Sequence, residues 1–324
     1  MGCFRLAPAL AGLLAVLGTT LPASAQDFPS RPTKIVVGFG PGGLGDITVR
    51  AIAQKMQDSF GRPVVVENMP GAGGMTAAAS VARAAPDGHT MLLVSGQNAI
   101  SPSIFKSMSY DWRRDFAPVS NMGSFDFVIV VDKNSALTTV GDLIAAAKKA
   151  PGKFNIGTIS AGSAQHLTAL LFNSMAELSV PVVPFRTTGE VVAGLLSGNI
   201  QAGFETLPGV LEQVRAGTLR ALAVSSDRRA ASLPDIPTIA ESGVPGYNIV
   251  SWNGFVVPSK TPREIVLKLN KEVAAALAAP DVRKRFQELA VDPRASSPED
   301  LQKTYDADEA RWRKVIADAK IPQQ

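Results

Sequence analysis

Short apolar runs alternate with amphipathic stretches along most of this chain. Strand-like runs fall at Lys34–Gly38, Pro63–Glu67, Thr90–Val94, Phe127–Val131, Phe154–Ile159, Val180–Phe185, Ile200–Phe204 and Leu219–Val224. Helical periodicity lies between most of them, at Ile47–Phe60, Thr76–Ala85, Val140–Ala150, Ala164–Ala176, Gly189–Leu196 and Val210–Ala216. This alternation predicts an α/β protein with parallel sheets, and the Ala- and Val-rich strands suit sheets covered on both faces. From Ser232 the pattern changes. Leu233 to Pro262 carries five prolines and little periodicity, which predicts a wrapping segment with one short strand near Gly254–Val257. Helices at Pro262–Ala278, Asp281–Leu289 and Pro298–Ala319 close the chain; Thr261-Pro262 and Ser297-Pro298 supply a cap followed by a first-turn proline.

Two strand-to-helix turns stand out. The first, Gly38-Phe39-Gly40-Pro41-Gly42-Gly43-Leu44-Gly45-Asp46, joins an apolar strand to a helix whose Ile47, Ile52 and Met56 share a face. Unpaired amides and the helix dipole favour an anion at such a start, and glycine allows close approach to the backbone. The second, Ser160-Ala161-Gly162-Ser163-Ala164-Gln165, follows the strand containing Thr158 and adds hydroxyls to the same geometry. Two such turns on two α/β lobes can face each other across a ligand-binding cleft. The first turn lacks the Lys-Ser/Thr of a P-loop. Gly38, Gly40 and Gly43 do match G-x-G-x-x-G, and Glu67 ends the next strand where a ribose-binding acid sits, so an exported dinucleotide-dependent oxidoreductase is the rival reading.

The N-terminus narrows the choice. Arg5, the apolar run Leu6 to Leu17 and Ala23-Ser24-Ala25 form a secretory signal with cleavage before Gln26. About 300 residues remain, a length that suggests two domains. The single cysteine, Cys3, lies in the signal, so the mature protein is expected to carry no disulfide, thiol nucleophile or Cys metal site. The formal charge of +4 falls by one with Arg5 and offers no basic tail for nucleic acid. Export weighs against nicotinamide chemistry, Pro41 restricts the glycine turn, and no acid–base constellation or G-x-S-x-G elbow appears. Two histidines make a metal site unexpected.

The stretches FGPGGLGD, PVVVENMPGAGG, ARAAPDGHTMLL, SAGSAQH, LRALAVSSDRR, SLPDIPTIAESGVPGY, SWNGFVVPSKTP and ARWRKVI, in this order across nearly the whole mature chain, resemble the Bug (TctC-like) receptors of tripartite tricarboxylate transporters. The resemblance implies a two-lobe Venus-flytrap fold of the type II-like periplasmic-binding-protein kind, with two crossover strands near Phe127–Val131 and Leu219–Ser225 and C-terminal helices packed on lobe 1. Lobe 1 then comprises 26–126 and 227–324, and lobe 2 comprises 127–226, after a signal at 1–25. It implies a monomeric periplasmic receptor, not an enzyme, without cofactor, that binds a small carboxylate and delivers it to membrane permease subunits. The family captures a carboxylate with amides and hydroxyls of the two turns. Carried over, this implicates Phe39, Gly40, Gly42, Gly43, Leu44 and Asp46, then Thr158, Ser160, Ser163, Ala164 and Gln165, with Thr187, Thr188 and Glu205 lining the lobe-2 wall. The family often has Asp at Glu205, Tyr at Phe185, Ser or Thr at Leu44 and Lys at Arg186. These departures point to a less polar pocket and a ligand other than citrate.

Several residues carry an ordinary reading beside the functional one. Asp46 reads as a ligand contact or as a first-turn acid paired with Arg50 at i+4. Glu205 reads as a ligand acceptor or a strand-end acid bonded to nearby amides, and Arg186 as a carboxylate partner or a solvated charge. His166 is expected to pack or cap, and Trp252 to pack the wrapping segment on lobe 1.

Overall fold

Ile35, Val36 and Val37 are completely buried in the computed structural model, which describes Gly2, residues 28–71 and residues 74–323. The expected export signal, residues 1–25, lies outside the described residues apart from Gly2. In chain order the elements are β1 (Thr33–Val37), α1 (Leu44–Phe60), β2 (Val64–Asn68), α2 (Met75–Ala82), β3 (Thr90–Ser95), α3 (Gly96–Ile104), α4 (Trp112–Asp115), β4 (Phe116–Asp132), α5 (Val140–Lys149), β5 (Ile156–Ile159) and α6 (Ala164–Met175). They continue with β6 (Val182–Phe185), α7 (Thr188–Leu196), β7 (Ala202–Thr206), α8 (Leu207–Arg215), β8 (Leu219–Val224), β9 (Val250–Pro258), α9 (Arg263–Ala278), α10 (Pro280–Glu288), β10 (Asp292–Pro293) and α11 (Pro298–Asp318).

The strands form two sheets that share β4. In the first, β1 pairs in parallel with β2 and β3, β9 runs antiparallel to β3, and the first half of β4 runs antiparallel to β9. In the second, β5 pairs in parallel with β6 and β7, while β7 and β8 both run antiparallel to the second half of β4. A single 17-residue strand thus runs through both sheets. The return crossing is fastened beside it by Ser225. Its N–H donates to Phe127 O at 3.0 Å, and its hydroxyl accepts from Phe127 N at 2.9 Å and donates to Ile249 O at 2.6 Å. All of these groups are buried, so each bond also avoids the penalty of an unpaired polar atom.

Parallel strands covered on both faces explain the continuous apolar runs. Ile35, Val37, Leu93 and Phe255 face α1 and α9 through Val49, Ile52, Met56, Val266 and Leu269, whereas Val36, Leu92 and Val94 face Ala77, Val81, Trp252 and Tyr305. In the second sheet Ile129, Ile156 and Phe204 pack on Leu167 and Phe172 of α6, and Val128 and Val130 pack on Val191, Leu195 and Val210. Burial of each large side chain contributes about 1.5–3 kcal/mol.

The structure extends the sequence reading in three places. The strand expected at Phe127–Val131 begins at Phe116, because two bulges, between Pro118 and Ser120 and between Asn121 and Gly123, break the alternation that marks a strand. Helix α3, with Pro102 inside it, has polar and small residues where apolar periodicity is weak. The wrapping segment is divided between the sheets. Trp252 packs in the first, as expected, but Ile239, Val244, Tyr247 and Ile249 enter the core of the second, where the Tyr247 hydroxyl donates to Thr168 O at 2.8 Å. Helix α11 likewise places Leu301 and Tyr305 against the first sheet and Trp312, Val315 and Ile316 against the second-sheet core. Among the described residues no helix is long and apolar enough to cross a membrane.

Candidate functional site

Each of β1, β2, β3, β5, β6 and β7 is followed by a helix, so six helix N-termini lie along the carboxyl edges of the two sheets. Backbone N–H groups without intrahelical acceptors therefore concentrate there, and the helix dipoles add partial positive charge. This is a setting for anions that needs no lysine or arginine.

The first turn is tied down by a carboxylate. Gly43 stands at the N-cap of α1 without a side-chain cap, and Gly42 has a φ of +80°. The Asp46 carboxylate accepts from Gly42 N at 2.9 Å, from Asn68 Nδ2 at 2.9 Å and from Arg50 Nε at 3.0 Å. Asn68 also donates to Phe39 O at 3.1 Å and accepts from Arg50 at 3.0 Å. Burial works to raise the Asp46 pKa, but the bonds from Arg50, Gly42 and Asn68 outweigh it and hold the carboxyl below its ordinary value. Of the two readings of Asp46, the pairing with Arg50 is present in full. Phe39, Gly40, Gly42 and Gly43 are exposed, and Leu44 is half-buried. Asn68 is the residue that sequence reasoning missed; its position at the end of a strand neighbouring β1 was the available signal.

The second turn is fastened by a serine. The Ser163 hydroxyl caps α6, accepting from His166 N at 3.2 Å and donating to Ile159 O at 2.8 Å. His166 Nδ1 accepts from Gly162 N at 3.3 Å, and burial lowers the imidazole pKa. Ser160 is exposed, while Ala164 and Gln165 are half-buried at the helix start. Thr158 is completely buried on the strand, and its hydroxyl has no partner among the described residues.

Three of the expected residues, Thr187, Thr188 and Glu205, lie at the carboxyl edge of the second sheet. Thr187 caps α7 by accepting from Glu190 N at 3.2 Å. Thr188 donates to Glu205 Oε2 at 3.1 Å, and Gln165 and the Thr206 N–H stand close enough to favour the ionised carboxyl. Glu205 is 0% exposed, and burial pushes its pKa up to about 7. Arg186 is exposed, and its backbone N–H bonds Glu190.

The two turns are connected through α3. The helix begins at the end of β3, beside β1, and its last residue, Ile104, lies against Gly162; a Cβ there would meet Ile104 Cδ1 at 3.1 Å. Nine helical residues span roughly 13 Å. Two open cavities, of about 360 and 950 Å³, lie elsewhere, beside the crossing of β4 and around Arg294. Neither is lined by either turn; the site is assigned from the helix N-termini, because anion chemistry resides in donors rather than in volume.

The shared long strand, the two covered sheets and the helix N-termini at their edges define a two-lobe periplasmic-binding-protein fold. The profile described as tripartite tricarboxylate transporter family receptor matches residues 48–321, and the chain belongs to that family. The protein BugT of Bordetella pertussis is 35% identical over 319 residues, covering 98% of each chain. The structure of Rpa4515 from R. palustris with adipate is 33% identical, covers 92% of this chain and 100% of its own, and superposes with a TM-score of 0.82. That of MatC (Rpa3494) from Rhodopseudomonas palustris with bound malate is 30% identical, covers 89% of this chain and 100% of its own, with a TM-score of 0.76.

Proposed function

We propose that this protein is an exported periplasmic receptor that captures a small carboxylate between its two lobes and delivers it to the permease of a tripartite tricarboxylate transporter. The observation that carries this reading is the pair of glycine- and serine-fastened helix starts, at Gly42–Asp46 and Ser160–Gln165, joined by α3. In this reading the amides of α1 and α6 bind one carboxylate, and Phe39, 37% exposed above the first turn, covers the apolar part of the solute. The lobes divide as 26–126 with 227–324 and 127–226, and closure about the β4 and Ser225 crossings supplies the donors of the second lobe to a ligand held by the first. Relatives bound to adipate and malate make dicarboxylates the first candidates.

The oxidoreductase reading is disfavoured by two contacts. The N–H of Gly42, which a pyrophosphate on the G-x-G-x-x-G turn would need, is occupied by the Asp46 carboxylate. Glu67, the would-be ribose partner, pairs with Lys34 at 3.0 Å.

The test is a thermal-shift screen of the mature protein against mono-, di- and tricarboxylates, with dinucleotides as controls. A ligand at about 100 times its dissociation constant stabilises by roughly 2.7 kcal/mol, enough to raise Tm by a few degrees. A shift with carboxylates is expected. A shift with a nicotinamide dinucleotide and none with any acid overturns the reading.

A further inference from the structure

Glu205 stands one residue before the end of β7, completely buried, and among the described residues it forms no ion pair. Thr188 Oγ1 donates to Oε2 at 3.1 Å, and the Gln165 side chain and the Thr206 N–H stand near enough to favour the ionised form. The other oxygen, Oε1, is buried without a hydrogen-bond partner among the described residues. The elements packed against β7 do not remedy this. Helix α6 offers only His166, whose pKa burial lowers. Helix α7 has Glu190, which accepts from the Arg186 backbone N–H, and α8 has Glu212 and Arg215 paired with each other. Strand β4 brings Asp126 and Asp132, and β5 has no titratable side chain. Arg186 is exposed before α7. A buried carboxylate in such surroundings favours its neutral form, consistent with a pKa of about 7.

We propose that Glu205 is a positioning residue that links solute capture to proton uptake, so that the receptor binds its anionic ligand together with one proton. The proposal rests on the carboxylate-receptor reading above. Gln165 and Thr188 lie in the first turns of α6 and α7, where the second lobe presents its donors. Ionised Glu205 draws the Gln165 amide and the Thr188 hydroxyl to itself and places negative charge behind them. Protonated Glu205 is a weaker acceptor: it frees these donors for the solute carboxylate, and its own O–H gives the orphaned oxygen a role. An arriving anion favours the protonated form, and by reciprocity the protonated form favours the anion.

The experiment is isothermal titration of the wild-type protein and of Glu205→Gln with adipate and with malate, from about pH 6 to about pH 8.5, in two buffers of different ionisation enthalpy. The acids themselves hold a small fraction of a proton at the acid end of this range; that contribution is common to wild type and variant, so the difference between the two isolates Glu205. Wild-type affinity is expected to fall at least tenfold across the range, with proton uptake approaching one per ligand at its alkaline end. Glu205→Gln keeps the hydrogen-bonding shape without the charge; it is expected to bind with an affinity nearly independent of pH and to take up no proton at that end. Flat wild-type affinity with no proton uptake, or an unchanged slope in the variant, overturns the proposal. Should the variant not fold, the wild-type proton count decides alone. Binding that ignores pH removes only the proton linkage, whereas no response to any acid in the thermal-shift screen removes the receptor reading with it.

Discussion

The side-chain amide of Asn68 donates to the Asp46 carboxylate at 2.9 Å, joining the end of β2 to the first turn of α1. The same amide holds Phe39 O, so one residue fixes both ends of the glycine loop. Asn68→Ala removes both bonds, together with the one Asn68 accepts from Arg50, and leaves Asp46 with Arg50 and Gly42. The expected cost is about 1–2 kcal/mol of stability, read by urea denaturation. Carboxylate affinity is expected to fall about tenfold, because the loop must then be ordered on binding. Unchanged affinity in titration calorimetry excludes preorganisation by Asn68.

Gly42 has a φ of +80° and open space where a Cβ would stand. Gly42→Val therefore meets no neighbour, but a β-branched residue in the left-handed region is strained by roughly 1–2 kcal/mol. Its side chain projects over the turn that is to receive the carboxylate. The expectation is a melting temperature lower by a few degrees and loss of detectable binding. Full affinity in the variant places the anion elsewhere.

Much of this organisation is legible in the sequence where period and turn chemistry agree. The run Lys34–Val37 followed by five glycines in eight residues reads as strand, turn and helix, and Asp46 with Arg50 at i+4 reads as a pair. What stays hidden depends on contacts distant in the chain. The first half of β4 is concealed by its bulges and by Pro118, Asn121 and Gly123, residues that ordinarily mark loops. The division of the wrapping segment follows from Tyr247 finding Thr168, 79 positions away, which no local pattern encodes. At the candidate site, glycines and hydroxyls show where the turns are but not which groups are already committed. Ser163 and Thr187 cap their own helices, and Thr188 serves Glu205.

Ile104 ends α3, is buried in the second-sheet core and touches Gly162. Ile104→Ala leaves a cavity between the helix and the second turn, with an expected cost of about 2–4 kcal/mol. Because the cavity lies where an element of the first sheet meets the second, ligand-free protein is also expected to expand in small-angle scattering. Saturating carboxylate is expected to restore the wild-type radius. A loss of stability with unchanged radii in both states limits Ile104 to packing.

Glu205 also leaves a signature in the ligand-free protein. Its pKa rises from 4.5 to about 7 on folding, so between these values the native state holds a proton that the unfolded chain has released. Stability therefore falls as pH rises from about 4.5 to about 7 and is level beyond, the reverse of the slope from a salt-bridged carboxylate such as Asp46. The accumulated cost at neutral to alkaline pH is on the order of 3 kcal/mol. Glu205→Gln is free of it, so the stability of the variant relative to wild type should increase across that window and then plateau. Denaturant titrations at a series of pH values, subtracting variant from wild type, isolate this contribution from the other carboxylates. A difference that does not change with pH shows that Glu205 is ionised in the folded protein at neutral pH and that its surroundings, the Thr188 hydroxyl among them, compensate its enclosure.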